Sequence, residues 1–152
     1  MYPTAPKMIA GLLFATVSFF VTGLVIANIP SGHPTAGFGL TNALVGFLIG
    51  WRVVGRRAGE GMSFAAAYGL TAMAAIVFWC LLLWGGREMI RRSLDLYYKD
   101  PTEALQEMVR LMLDYAVYLY GNGAIGSMVI GAVFCGLVTE WLARRTQRPR
   151  VE

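Results

Sequence analysis

Chemistry needs reactive side chains that can meet, and this sequence supplies few. His33 is the single histidine, set among Pro30, Gly32 and Pro34 with no Cys, Asp or Glu near it in sequence. A structural zinc site generally takes four Cys or His ligands, and the chain has only His33, Cys80 and Cys135. His33 is therefore read as an exposed loop residue. Each cysteine sits inside an apolar run, where a free thiol behaves as a small hydrophobe. On membrane-crossing helices the two would differ in depth by roughly 10 Å at ~1.5 Å per residue. A disulfide tolerates only about 7 Å between Cα atoms, so no redox pair is expected. Glu140 and Arg144, four apart, read as a surface ion pair. Asn42 and Thr71 lie inside apolar runs, where either can hydrogen-bond across helices. No acid or base lies deep in a run, where it would mark a proton or ion path. The expectation is a non-enzymatic chain that holds neither a cofactor nor a metal.

The elements that would position these residues are apolar to an unusual degree. Hydrophobic residues make up 57% of the 152 and charged residues 14%, against ~45–50% and ~25% in soluble domains. Four uncharged runs stand out, and a spanning helix needs about 20 such residues. They predict helices over residues 8–28, 37–54, 62–86 and 124–143. The second run, Ala36 to Trp51, is the weakest and reaches spanning length only if Arg52 snorkels. The third holds 25 uncharged residues. The first is longer than the ~7–15 apolar residues of a secretory leader, so a retained helix is expected. The fold class predicted is all-α, an integral membrane bundle of four transmembrane helices forming a single domain.

Residues 87–120 differ. Ile90, Leu94 and Tyr97 share one helical face opposite Glu88, Arg92 and Asp95, so the third helix is expected to continue past the membrane. Asp100-Pro101-Thr102-Glu103 reads as a helix start, with Asp100 as cap, Pro101 in the first turn and Glu103 reaching back. Leu105, Met108, Met112, Tyr115 and Leu119 then form an apolar stripe, with Glu103, Glu107, Arg110 and Asp114 on another face. That pattern describes an amphipathic segment lying in the interface or against a partner.

Orientation follows from Lys and Arg, which set topology where acids count for little. With the N-terminus inside, Lys7, Arg52, Arg56, Arg57, Arg144, Arg145, Arg148 and Arg150 fall on the cytoplasmic side, eight of the 13 basic residues. Both termini are expected there. The tail from residue 144 to 152 reads as a topology anchor, and secondarily as a contact for anionic lipid or a partner. The net charge of +4 does not indicate nucleic acid, because the basic residues sit in short clusters beside apolar runs rather than in a patch.

Packing is the most informative pattern. Gly123, Ser127, Gly131, Cys135 and Thr139 fall four apart, placing five small side chains along the last helix. Gly46 and Gly50 form a G-x-x-x-G pair on the second. Gly11 and Ala15, Gly39 and Ala43, and Ala65 and Gly69 repeat the spacing. Small residues let helix backbones approach closely where lipid removes the hydrophobic drive between them. Single pairs also arise by chance in Gly- and Ala-rich helices; five in register carry more weight. The face is expected within this bundle or against another protein.

The stretch Gly50-Trp51-Arg52-Val53-Val54-Gly55-Arg56-Arg57-Ala58-Gly59-Glu60-Gly61 resembles the TrgA family of bacterial tellurite-resistance proteins. Gly69-Leu70-Thr71, Val77-Phe78-Trp79, Glu88-Met89-Ile90, Glu140-Trp141 and the early Pro3-Thr4-Ala5 continue the likeness over nearly the whole chain. The resemblance implies a small protein of the bacterial inner (cytoplasmic) membrane linked to tellurite tolerance, and it carries over no catalytic or binding residue. The alternative expectation is an accessory subunit packing at the periphery of a larger respiratory or photosynthetic membrane complex, and the partners expected are the lipid bilayer and another membrane protein or complex.

Overall fold

The computed structural model describes residues 4–29, 35–94, 100–120 and 123–146. His33, Asp95, Tyr97, Lys99, Arg148 and Arg150 lie outside these ranges, as do the readings made for them. The described residues form α1 (Thr4–Ile26), α2 (Phe38–Ile49) widening into a π-helical turn (Gly50–Val54), α3 (Met62–Leu94), α4 (Pro101–Val117) closed by a short 3-10 turn (Tyr118–Tyr120), and α5 (Ala124–Thr146). No strand occurs among them.

Three helices are long and apolar enough to cross a membrane: α1 from Ala5, α3 and α5. Such helices satisfy their backbone donors and acceptors internally, as a bilayer core demands. The chain is thus compatible with a multi-pass membrane protein. Phe38–Val54 is apolar but shorter; at ~1.5 Å per residue it reaches about 25 Å, short of the ~30 Å hydrocarbon core. Large apolar side chains also point outward all round, with Phe20 62%, Ile130 72% and Phe134 60% exposed. Water would penalise so extensive an apolar exterior.

Small residues set the packing. α1 and α2 form an antiparallel hairpin in which a Cβ on Gly50 would lie 2.8 Å from the Ala10 carbonyl oxygen. One on Gly46 would lie 2.7 Å from that of Phe14. On the other side, Gly69 and Gly136 meet the backbones of Ala132 and Ala65 so closely that neither has room for a methyl group. This is the α3–α5 contact. Between these pairs Ala10, Phe14, Ala72, Ile76, Ala132 and Cys135 make the buried core.

α3 is the mast of the molecule. Its 33 residues extend about 50 Å, well past one bilayer core. α5 lies along its first half and α4 doubles back along its second, where Gly85 admits Met112 and the Met108 carbonyl. Asp100 stands at the N-cap position of α4 and Pro101 follows it, but the Asp100 side chain makes no capping hydrogen bond. The capping expected of it is thereby corrected: with Pro at the first position, one helix donor is already missing.

On α3 the face that carries Glu88 turns inward, and on α4 only part of the apolar stripe does. Glu88 is buried at 8% exposure while Ile90 and Leu94 are exposed. Arg91 and Arg92 both donate to Glu88, and Arg92 reaches across to Glu107 of α4 at 2.8 Å. An ion network, not an apolar seam, faces inward there, because a carboxylate with two guanidinium partners can be buried where a lone one cannot. On α4, Met108, Met112, Tyr115 and Leu119 turn toward the bundle, whereas Leu105 is exposed. Leu105, Val109, Leu113 and Val117 instead make a second stripe, each at least half exposed.

Candidate functional site

The residues singled out from sequence fall in three places. Gly46 and Gly50 meet α1, as described. The five-residue column on α5 does not meet one neighbour. Gly123, at φ 69, has nothing within 4 Å of a built Cβ. Ser127 hydrogen-bonds to Gly123 and Ala124 of its own turn. Gly131 admits Val17 of α1, 2.7 Å from a built Cβ, and Cys135 and Thr139 are fully buried. Residues four apart advance about 40° around a helix of 3.6 residues per turn, so a straight column of five wraps from one neighbour to the next. The tightest approach uses Ala132 and Gly136, which that column misses.

The basic residues near one end cluster with Glu140. Arg52, Arg56, Arg57 and Arg145 are exposed. Arg57 lies 4.8 Å over the Tyr68 ring and Arg145 3.9 Å over that of Trp141. Glu140 is not the surface residue expected. It is 1% exposed and accepts the backbone N–H of Gly59 at 2.6 Å, that of Gly61 at 3.0 Å, and the Arg144 Nε at 2.9 Å. Gly59 and Gly61 hold φ of 110° and 133°, which L side chains rarely adopt. That backbone aims both donors at one carboxylate. The position, at the start of α3, also suits a negative charge, since helix N-termini carry partial positive charge. Sequence missed this because the partner is a loop 79 to 81 residues away. The glycines at 59 and 61 were the available signal.

At the other end, Asn42 joins three helices. Its Nδ2 donates to Thr22 Oγ1 of α1 at 3.0 Å, and its Oδ1 accepts from Trp84 Nε1 of α3 at 2.9 Å. Phe38 stacks on Trp84 with centroids 3.6 Å apart. Thr71, the other polar residue expected to bridge helices, is exposed and donates to Ala67 of its own helix, the usual local outlet for a helical threonine.

Below Asn42 lies a cavity of about 70 Å³, lined on its polar edge by Ser18, Thr22, Asn42 and Cys80 and elsewhere by residues such as Val21, Ile76, Leu81 and Met128. None of the lining side chains is normally charged. Tyr115 closes one side; burial, and then the Glu88 carboxylate, push its phenol up from the ordinary value, so it stays neutral. Ser18 Oγ is buried without a hydrogen-bond partner. Cys80 and Cys135 are both free thiols. Among the described residues, no three His, Cys, Asp or Glu side chains gather where a metal ion could be held. The arrangement can bind and orient a small neutral molecule; it brings together no nucleophile and base.

Comparison with known proteins gives no matching family model, no similar curated protein and no similar solved structure.

Proposed function

We propose that this chain is a four-span, non-enzymatic protein of a bacterial cytoplasmic membrane, both termini cytoplasmic, that acts as an accessory subunit of a larger membrane assembly. The observation that carries the reading is the exposed stripe Leu105, Val109, Leu113 and Val117 on α4. The segment of α3 from Met62 to Trp84 already covers about 34 Å, enough for the hydrocarbon core. The α3–α4 hairpin beyond it is then out of reach of lipid chains, and a protein must cover its apolar side. Arg110 and Asp114 are exposed beside that stripe, so the fitting partner is an apolar helix that presents an acid to one and a base to the other. The fourth span is Phe38–Val54, lengthened by Arg52 reaching to the headgroups. The clustering of Arg52, Arg56, Arg57, Arg144 and Arg145 near one end supports placing that end in the cytoplasm.

The test is purification from native membranes in mild detergent, with stoichiometry measured by mass spectrometry, for the natural chain and Leu113→Glu. A defined complex of fixed stoichiometry that Leu113→Glu abolishes, with the variant still in the membrane, supports the subunit role. A chain that elutes alone in both forms refutes it.

A second reading is a contribution to tellurite tolerance. It is favoured by the meeting of two stretches that carry the TrgA resemblance, the 55–61 loop and Glu140-Trp141. Growth of a deletion strain on tellurite decides it: unchanged tolerance removes this reading and leaves the first intact.

A further inference from the structure

We propose that the arginine-bearing end of α2 holds one anionic phospholipid, with its phosphodiester between Arg52 and Arg56 and an acyl chain along Leu48, Leu44 and Leu40. The site rests on the membrane placement given above and not on the subunit role. Three features point to this ligand.

Unspent charge comes first. At this end Arg57 lies over the Tyr68 ring, Arg144 pairs with Glu140, and Arg145 lies over Trp141. At the other end Arg87 lies over Trp84, Arg91 and Arg92 pair with Glu88, and Arg110 stands 3.9 Å from Glu107. Among the described residues, Arg52 and Arg56 are the only arginines with no hydrogen bond, ion pair or ring contact. The nearby acids are already engaged: Glu140 accepts from Gly59, Gly61 and Arg144, and Glu60 accepts from the Tyr68 hydroxyl. Two guanidiniums without a counter-charge offer the forked donors that suit a phosphate.

Alignment comes second. Residues four apart drift round an α-helix, because one turn takes 3.6 residues. Over Gly50–Val54 the helix is of the π type, and the Gly55 N–H donates to the Gly50 carbonyl five residues back. This wider turn takes more than four residues, so it opposes the drift and keeps Arg52 and Arg56 on one side, both exposed. Single π turns are rare and recur at functional sites. Gly55 also lies against the Lys7 backbone, whose Cα is 2.7 Å from a built Cβ, which brings a lysine to the same corner.

The apolar surface comes third. Steps of four back from Arg52 reach Leu48, Leu44 and Leu40, all exposed. They form a ridge that leads from the two arginines into the span. Trp51, also exposed, stands beside it where indoles gather at the membrane interface. A free phosphate would use the arginines and leave the leucines idle. A neutral lipid would use the leucines and leave the charge unmet. An anionic phospholipid uses both.

The full chain in dodecyl maltoside micelles is titrated with dioleoyl phosphatidylglycerol and, separately, with dioleoyl phosphatidylcholine, which has the same chains and phosphodiester but no net charge. Bound lipids are counted by native mass spectrometry. One phosphatidylglycerol per chain is expected to bind more tightly than phosphatidylcholine. Arg52→Gln combined with Arg56→Gln is expected to weaken it about twenty-five-fold, roughly fivefold for each arginine. Arg57→Gln combined with Arg145→Gln removes as much charge from the same end and should leave binding nearly unchanged. Glycerol 3-phosphate, the head without its chains, should not displace the lipid. Should a variant fail to fold, the choice of the natural chain between the two lipids still decides the matter. Equal binding of the two lipids, equal losses in the two double variants, or displacement by glycerol 3-phosphate would each overturn the site and leave the membrane placement standing. A chain that stays dissolved without detergent would overturn both.

Discussion

The indole N–H of Trp84 points at the side-chain oxygen of Asn42, 2.9 Å away, and that bond adds a polar tie between α3 and the α1–α2 hairpin to the Phe38–Trp84 stack. The same amide holds Thr22, so a single asparagine fixes the relative height of three helices. In apolar surroundings neither partner has water to fall back on, yet measured interhelical hydrogen bonds in membranes average only about 0.6 kcal/mol, up to ~1.7. A double-mutant cycle on Trp84→Phe and Asn42→Leu, read by thermal unfolding in micelles, is expected to give a coupling near 1 kcal/mol. Strictly additive effects would show that the bond contributes nothing.

Glu140→Ala is expected to destabilise more than Arg144→Ala. The first leaves two aimed backbone donors and a guanidinium without their acceptor, and breaking a buried charged pair costs about 3–5 kcal/mol. Arg144 is 54% exposed, so its pairing is partly screened and its loss should cost less than about 1 kcal/mol. Amide exchange at Gly59 and Gly61 should accelerate in Glu140→Ala and hardly in Arg144→Ala. The reverse order would remove Glu140 as the organiser of that loop.

Glycine substitutions on the packing seams should split by contact rather than by sequence column. Gly69→Leu places its Cβ against the Ala132 carbonyl and is expected to cost about 3 kcal/mol or more, or to prevent folding. Gly126→Leu, with open space around its Cβ, should stay within about 0.5 kcal/mol of the natural chain. Melting temperatures of the two variants in one detergent make the comparison, and similar losses would count against the α3–α5 seam.

The α3–α4 hairpin rests on Arg92, which links Glu88 to Glu107. Arg92→Ala leaves Glu88 with Arg91 alone and Glu107 with only Arg110 of its own helix, 3.9 Å away, so α4 should loosen while α1, α2 and α5 hold. Hydrogen exchange by mass spectrometry should rise over residues 101–117 and not over 124–146. A uniform rise would mean that α4 is no separate unit.

Legibility in the sequence followed the range of each interaction. The helices could be read because apolar content is a local property, and the π-helical end of α2 falls at Val54, where Arg52 had suggested that helix would stretch. Asn42 could be read as a bridge because an amide inside an apolar run has few other uses. Glu140 could not, because four-residue spacing to Arg144 describes its neighbour and not the loop that arrives from the far side of α3. The inward turn of Glu88, Arg92 and Glu107 was not legible either, because these charges satisfy one another across two helices, leaving Ile90, Leu94 and Leu113 on the outside. On α5 the closest backbone approach was not legible, since Ala132 and Gly136 lie one position round from the residues that repeat most regularly.

The loop between α2 and α3 has one more consequence, in time rather than space. Translation delivers the chain from its N-terminus, so Gly59 and Gly61 emerge long before the carboxylate that receives their N–H groups. Until Glu140 is synthesised and its helix has come alongside α3, those donors stay bare and the turn has nothing to hold its unusual backbone. The last helix therefore does more than fill a place in the bundle: it closes the molecule. A ribosome that stalls short of residue 140 releases a product whose loop a protease can still tell from the finished one.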